Sequence, residues 1–471
     1  MHRLKNTFCK QLWLCVSIVF LTVSLSTAQT GLSAELRADI DDIVHKVLAT
    51  TGVPSASLAV VKDGKIAYVR AYGDARLDPR TTASPEMRYS IGSISKQFTA
   101  AAILMLAEEG KLALDDPVSK YVSGLTRGNE VTIRELLSHT SGYQDYWPQD
   151  YVMPMMLNPV TPEEILDRWG RIPLDFDPGT KWQYSNTNYV IAGVIVEKVS
   201  GMPLWTFLSK RVFTPLGMKS ITDTNEKALP QTDPGGYFRY ALGPLHAAPK
   251  EGKGWMFAAG ELAMTPDDLA RWDISMIQRT LLKPASYKEM GTVVLLKNGA
   301  PTSYGLGIEV SMVNGHRMLE HSGEVSGFTA ENIVLPDDKI AIVVLTNQDA
   351  AEAASEIGNQ VRTALLKSDN PQDQKEDERV RKIYDGLQQG KIDRALFTDN
   401  ANSYFNDQAL KDYAASLGPL GAPQSFTQSK SEIRGGMTER NYEVNYATKS
   451  LVIIIYEMPD GKFEQYLIAE K

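Results

Sequence analysis

The chain has 471 residues, of which 43% are hydrophobic and 23% charged, and it carries a formal net charge of −8. This composition is that of an ordinary globular protein, and the length is sufficient for two or three domains. The acidic balance, without a basic run or patch, argues against nucleic acid as a partner.

Residues 1–28 are predicted to be an export signal. Arg3, Lys5 and Lys10 precede the apolar core LWLCVSIVFLTVSL, and small residues follow before a predicted cleavage near Gln29. The apolar run is too short for an ordinary spanning helix, so we expect no membrane association after cleavage. The sequence therefore predicts a bacterial protein that is periplasmic or secreted.

Cysteine and histidine usage bears on metals and cofactors. Cys9 and Cys15 both lie inside the predicted signal, so the mature chain is expected to have no disulfide, thiol nucleophile or cysteine-bound metal. The six histidines show no metal-ligand spacing, and no glycine-rich phosphate loop is present. We expect neither a metal nor an organic cofactor.

The first elements after the signal are a helix and a hairpin. Apolar periodicity predicts a helix over 33–49, and Asp63-Gly64 joins two strands, SASLAVVK and KIAYVRAY. The segment YSIGSISKQFTA (89–100) leads into a buried helix that stops at Gly110. Residues 115–250 are richer in helix, loop, Pro and Trp.

Strand patterns return after a helix that Thr265 is expected to cap. They are YGLGIEVSM, HRMLEHSG, FTAENIVLP and KIAIVVLTN, and a helix over about 350–366 follows them. Strands therefore come from both ends of this region. The predicted fold class is α/β (α+β), with a mixed antiparallel sheet flanked by helices and an inserted helical lobe.

The domain prediction has a large domain over 29–367, a charged linker over 368–379 and a small α+β domain over 380–471. The last has helical patterns followed by the strands NYEVNY, LVIIIYEM and KFEQYLIA. That order is similar to the NTF2-like cone fold. We interpret this domain as a structural appendage or a module for homo-oligomers, and alternatively as one that narrows a cleft or binds a partner.

Ser93 and Lys96 form a Ser-x-x-Lys pattern, which occurs by chance in a chain of this length. At the start of a helix, residues i and i+3 lie on one face, so Lys96 reaches the Ser93 hydroxyl. A serine is a poor nucleophile without a neighbouring base, and a lysine serves as one only if its pKa is lowered. Tyr184 is the other candidate base, since its phenolate would be favoured beside Lys96.

Two further motifs change the interpretation of Ser93: Tyr184-Ser185-Asn186 and His321-Ser322-Gly323. With GSISK, in this order, they resemble the serine β-lactamase and penicillin-binding-protein superfamily, in particular its class C-like branch. LLSHTSGY, PLGMKSITDT, AAGELAMTPDDLARW and YGLGIEV extend the resemblance over about residues 33–366.

The resemblance implies a set of catalytic roles. Ser93 would be the nucleophile, Lys96 and Tyr184 would share proton transfer, and Asn186 would contact Lys96 and the substrate amide. The backbone amides of Ser93 and Glu324 would form the oxyanion hole. His321, Ser322 and Gly323 would lie on a strand at the cleft and contact the substrate.

The third motif departs from the Lys-Thr-Gly of many relatives, whose lysine helps bind a substrate carboxylate. His321 offers one donor when neutral, so a penicillin-type carboxylate substrate is in doubt. His321 either faces the substrate or is a neutral histidine bonded to backbone. His139 is expected to fix its loop, and the aromatic loop 143–153 either forms a cleft wall or packs against the helical lobe.

The sequence predicts an exported serine hydrolase that forms an acyl-enzyme on Ser93 with a small-molecule or peptide substrate. The bond attacked is an amide, a β-lactam or an ester, so β-lactamase, D,D-peptidase and esterase activities stay open. The alternative from another class is a penicillin-binding protein that does not turn over. The intact set Ser93, Lys96, Tyr184 and Asn186 argues against that alternative.

Overall fold

The computed structural model describes residues 31–149, 151–369, 371–446 and 448–471. The predicted export signal over 1–28 lies outside these ranges. In the first part of the described chain the helices are α1 (Ala34–Thr51), α2 (Ser95–Glu108), α3 (Ile133–Leu137), α4 (Pro162–Ile165), α5 (Asn186–Ser200), α6 (Leu204–Leu208), α7 (Thr214–Leu216), α8 (Pro266–Gln278), α9 (Pro284–Met290) and α10 (Ala353–Asp369). The strands are β1 (Ser55–Lys62), β2 (Lys65–Leu77), β3 (Arg80–Thr82), β4 (Tyr89–Ser90), β5 (Thr222–Asp223), β6 (Tyr237–Arg239), β7 (Leu245–Ala247), β8 (Leu262–Met264), β9 (Glu309–Val313), β10 (His316–Val325), β11 (Phe328–Leu335) and β12 (Ile340–Thr346).

The main sheet has seven strands in the order β3-β2-β1-β12-β11-β10-β9, and every neighbouring pair is antiparallel. The N-terminal hairpin joins the C-terminal strands through β1 and β12, where Ala59 pairs with Val343. All residues of β11 and β12 are buried because helices cover both faces of the sheet. The predicted antiparallel sheet with strands from both ends is confirmed.

Two apolar cores lie on opposite faces of this sheet. One packs α1 and α10 against it, and the other, larger core contains α2, α5 and α8. A buried polar chain ties α2 to the sheet: Trp272 Nε1 donates to Gln97 Oε1 at 2.7 Å, and Gln97 Nε2 donates to Asn332 Oδ1 at 3.1 Å. The nucleophile segment is therefore fixed against the sheet by packing and by satisfied hydrogen bonds.

Several local expectations agree with the structure and one strand boundary does not. Asp63 and Gly64 both have positive φ, as a tight hairpin turn requires, and the Thr265 side chain accepts from the Asp268 amide at 3.3 Å. The strand expected from Tyr304 begins only at Glu309. Gly307 has φ of 77°, a turn conformation that interrupts the extended backbone.

The remaining elements are α11 (Pro371–Leu387), α12 (Asp399–Tyr404), α13 (Asp407–Leu417), β13 (Ser425–Arg434), β14 (Met437–Asn445), β15 (Ser450–Glu457) and β16 (Phe463–Glu470). The four strands form an antiparallel sheet in sequence order with an apolar core of its own. The described residues of the charged segment 368–379 lie in two helices, since α10 ends at Asp369 and α11 begins at Pro371. The domain boundaries stay a prediction.

Among the described helices, no single one is long and apolar enough to cross a membrane. One pair, Asn186–Ser200 with Leu204–Leu216, meets the length and composition test together, with a bend of 70° between them. Most of the first helix is buried in the larger core.

Candidate active site

The nucleophile candidate lies where a short helical turn meets α2. Ser93 is the middle residue of a 3-10 turn, Gly92–Ile94, so it precedes the α-helix rather than opening it. Lys96 lies in the first turn of α2 and is fully buried. Its Nζ is 2.9 Å from Ser93 Oγ, which is the contact that the spacing of three predicts.

Lys96 Nζ has two other hydrogen-bond partners, Asn186 Oδ1 at 2.8 Å and the Ala259 carbonyl oxygen at 2.8 Å. These two atoms only accept. A neutral amine can donate one hydrogen to each and still direct its lone pair at Ser93. Burial lowers the pKa of Lys96 to about 7, although the charge of Asp145 opposes this shift.

Tyr184 completes the group around the serine. Its hydroxyl interacts with the Ser93 side chain, and Lys96 Nζ lies 5.0 Å from the centre of its ring. Burial raises the pKa of Tyr184 above that of an ordinary tyrosine. The expected phenolate is therefore not what the environment favours, because a buried ring without a compensating cation on its oxygen stays neutral.

Asn186 is the first residue of α5, and a loop residue that the sequence analysis missed holds it. Asp145 Oδ1 accepts from the Asn186 backbone amide at 2.9 Å and from its Nδ2 at 3.2 Å, while Oδ2 lies 3.3 Å from Nδ2. The available signal was an acid in an otherwise aromatic loop directly after SHTSG.

The third motif lies on β10, beside the turn that carries Ser93. A Cβ atom on Gly323 would be 1.9 Å from the Ile91 carbonyl oxygen and 3.3 Å from Ser93 N. A Cβ atom on Gly92 would be 2.7 Å from Glu324 N. The backbone around Ser93 therefore packs closely against the backbone around Glu324, with a glycine at each contact.

His321 is buried and both of its ring nitrogens have partners. Nδ1 lies 2.6 Å from the Ser322 carbonyl oxygen, and Nε2 lies 2.7 Å from the hydroxyl of Tyr304, another residue that the sequence analysis did not identify. Burial, with the charge of Lys96, lowers the pKa of His321 to about 4. The geometry is that of the neutral histidine bonded to backbone; Ser322 is exposed beside it.

His139 was expected to fix its own loop, and its side chain bonds to the backbone at the start of α5. Its Nδ1 accepts from the Ser185 backbone amide at 3.2 Å, and its ring lies against that of Tyr184 with centroids 4.3 Å apart. Burial keeps its pKa well below the usual value, so the ring is neutral.

A cleft of about 1020 Å³ opens over Ser93. Trp147, Tyr151 and Trp182 line it on the side of the aromatic loop, and Phe238 and Tyr240 line it from the β6–β7 hairpin. The loop also contributes Tyr143 and Tyr146 to the core. Some residues of the loop therefore form a wall of the cleft, and others pack in the interior.

The charged residues that line the cleft are mostly acidic. They are Asp145, Glu309, Glu324, Asp349 and Arg239. Arg239 already donates to the carbonyl oxygens of Thr51 and Gly52 and to Gln348. In the part of the chain that the structure describes, no group of three or more His, Cys, Asp or Glu side chains could hold a metal ion.

The sheet flanked by helices and the Ser-Lys-Tyr-Asn cluster define a class of protein, and comparison with known families agrees. The chain belongs to the beta-lactamase family, whose model matches residues 40–366. The resemblance to serine β-lactamases and penicillin-binding proteins is confirmed. The match ends before α11, so it does not include the C-terminal sheet.

Individual relatives are similar over the same part of the chain. A D-aminopeptidase of Brucella canis is 28% identical over 331 residues, which are 68% of this chain and 62% of that protein. A D-stereospecific amidohydrolase structure from Streptomyces sp. is 29% identical, with a TM-score of 0.60, and the match covers 68% of this chain and 96% of that one. This chain covers only 62–64% of the length of the curated relatives that it matches first.

One solved structure extends the comparison of the fold. The octameric penicillin-binding protein homologue from Pyrococcus abyssi is 24% identical, with a TM-score of 0.62, and the match covers 92% of this chain and all of that one. At this identity the comparison shows a shared fold.

Proposed function

We propose that the chain is a serine hydrolase that cleaves small amide substrates through an acyl-enzyme on Ser93. The observation that carries the proposal is the 2.9 Å contact between Lys96 Nζ and Ser93 Oγ at a lysine whose pKa is lowered to about 7. About half of such a lysine is the neutral base at neutral pH, whereas an ordinary lysine is almost entirely protonated.

In the first step Ser93 Oγ attacks the substrate carbonyl carbon, and its proton moves to Lys96 Nζ. The carbonyl oxygen becomes an oxyanion that the amides of Ser93 and Glu324 stabilise by donating hydrogen bonds. The C–N bond then breaks, and the leaving amine takes a proton, which Lys96 returns through the neutral Tyr184 hydroxyl.

Deacylation uses the same groups, with water in place of the leaving amine. A water molecule gives a proton to neutral Lys96 and attacks the ester carbon of acyl-Ser93. The second tetrahedral intermediate expels Ser93 Oγ, which recovers its proton from Lys96. The products are the carboxylic acid and a free enzyme in its original protonation state.

The cleft favours a substrate with a free amine over one with a free carboxylate. His321 replaces the lysine that binds a carboxylate in many relatives, and the acidic cleft residues outnumber the basic ones. The aromatic walls fit an apolar side chain. The names of the Brucella and Streptomyces relatives support a D-amino-acid amide or a peptide with a D-residue at its amino end.

The test uses the purified chain and its Ser93→Ala variant. D-alanine and D-phenylalanine p-nitroanilides, their L-enantiomers, benzylpenicillin and a p-nitrophenyl ester are each assayed by product formation and by intact mass. The proposal expects turnover of the D-anilides, with Ser93→Ala inactive. A stable penicillin adduct without anilide turnover would instead assign a penicillin-binding protein, and ester turnover alone an esterase.

From the sequence we also propose that the protein is exported and that two or more copies of the chain associate. Residues 1–28 have the composition of an export signal, so fractionation of bacteria that express the full chain should recover a shortened protein outside the cytoplasm. If copies of the chain associate through residues 380–471, light scattering should give a mass above that of one chain.

A further inference from the structure

Asp145 lies on the loop between α3 and α4, and in the catalytic group it hydrogen-bonds to Asn186. Its Oδ1 also accepts from the Trp147 backbone amide of its own loop at 3.1 Å. Its carboxylate accepts from the Asn186 backbone amide and from Nδ2. With Nδ2 turned to Asp145, the remaining amide atom, Oδ1, faces Lys96 Nζ at 2.8 Å. The amide cannot rotate by half a turn without placing its oxygen against a carboxylate.

The start of α5 lacks a cap of its own. Ser185, the residue before the helix, makes no side-chain hydrogen bond to the first turn. Asp145 supplies that acceptor from another part of the chain, at the helix end where a negative charge is stabilised. The loop is in turn held by Thr187 Oγ1, which donates to the Gln144 carbonyl oxygen at 2.7 Å.

We propose that Asp145 is a positioning residue for the reaction: it fixes the Asn186 side-chain amide so that Oδ1 holds Lys96 with its lone pair directed at Ser93. This role rests on the proposed function. It differs from a helix cap, which would affect stability alone, and from a ligand for a substrate ammonium, which would affect binding alone.

The charge of Asp145 also acts on Lys96. The groups around Lys96 Nζ are Asp145, the neutral rings of His139 and His321, and the rings of Tyr184 and Tyr189. Of these, Asp145 opposes the burial that lowers the pKa of Lys96. Removal of its charge lowers that pKa further, so the pH at which Lys96 becomes a base falls.

The experiment measures how fast a fluorophosphonate labels Ser93 between pH 5 and pH 9. The probe reports activation of the serine and has no ammonium group. Asp145→Asn keeps the size of the side chain and removes its charge. We expect the plateau rate to fall about 10- to 100-fold and the midpoint to move to lower pH by up to about one unit.

A double-mutant cycle with Asn186→Ala tests the route of the effect. If Asp145 acts through Asn186, Asp145→Asn lowers the plateau less than about twofold when Asn186 is already alanine. Equal losses in both backgrounds would overturn the proposal. Asp175→Asn is the matched control, because Asp175 accepts from Gln183 Nε2 at 2.5 Å rather than from Asn186, and its labelling should match the wild type.

The other roles give different results. A change in melting temperature with an unchanged rate of Ser93 labelling would mean that Asp145 acts only as a cap of α5. A raised KM for D-alanine p-nitroanilide with unchanged labelling would mean an ammonium ligand. Asp145→Ser, which keeps one acceptor oxygen, replaces Asp145→Asn if the latter does not fold. Wild-type protein that is labelled no faster than Ser93→Ala would overturn the proposed function itself.

Discussion

Gly323 packs so closely against Ile91 that any larger residue there would overlap the Ile91 carbonyl oxygen. Gly323→Ala should therefore push β10 away from the turn that carries Ser93. We expect about 100-fold slower acylation from a misplaced Glu324 amide and a loss of about 1–3 kcal/mol in unfolding free energy from overpacking. Acylation kinetics and denaturant unfolding measure both effects. Gly31→Ala is the control, since no atom of the described residues lies within 4 Å of its Cβ position. An unchanged acylation rate in Gly323→Ala would contradict the arrangement.

Lys96→Arg should abolish base catalysis without removing the positive charge. A guanidinium does not lose its proton at working pH and is planar, so it cannot direct a lone pair at Ser93. Acylation should slow by about 10²- to 10⁴-fold, the usual contribution of a general base. Fluorophosphonate labelling measures this rate, and circular dichroism checks the fold. Labelling at the wild-type rate would assign the base to another group.

The pH dependence of acylation should follow Lys96. Because burial lowers its pKa to about 7 and the neutral amine is the active form, the rate should fall about tenfold per pH unit below pH 7 and level off above it. His321 should not contribute a step near its ordinary pKa, since its own pKa is about 4. His321→Gln should therefore keep the same midpoint, and a midpoint that moves with this substitution would show that His321 titrates in the reaction.

The aromatic walls of the cleft should set the preference for apolar substrates. Trp182 is 41% exposed and faces the cleft, so Trp182→Ala should lower kcat/KM for D-phenylalanine p-nitroanilide by about 10- to 100-fold, mainly through KM. The D-alanine anilide, whose amino-acid side chain has no ring, should lose little of its kcat/KM. An equal loss of kcat/KM on both substrates would mean that Trp182 maintains the shape of the cleft and does not recognise the substrate side chain.

The C-terminal sheet should unfold without affecting the chemistry at Ser93. Ile453 is fully buried in the separate core of this sheet. Ile453→Ala should lower the unfolding free energy of the C-terminal sheet by about 2–5 kcal/mol. We expect an earlier thermal transition with unchanged acylation below that transition. A parallel loss of acylation would instead assign this region a role at the cleft.

The sequence was most informative where a feature depends on neighbours along the chain. The hairpin at Asp63-Gly64, the cap at Thr265 and the three-residue spacing of Ser93 and Lys96 each follow from local backbone geometry. The edge strand Ser425–Arg434 was missed because it is polar and lacks an alternating apolar pattern. The helices that end and begin in the charged segment 368–379 were missed for a related reason, since charge predicts exposure but not backbone conformation.

The sequence by itself determined the antiparallel fold, through apolar periodicity, and predicted the site residues Ser93, Lys96, Tyr184 and Asn186 through motifs in order. The tertiary structure decided how those side chains pair. Asp145 orients the Asn186 amide from 41 residues earlier in the sequence. Tyr304 and the Ser322 carbonyl hold the His321 ring, while burial and the charge of Lys96 lower its pKa and keep it neutral. Burial, which only the folded chain has, sets the pKa of Lys96. These properties depend on the distances between groups that are far apart in the chain and on how much water reaches them. Neither the distances nor the solvation can be predicted from the local sequence.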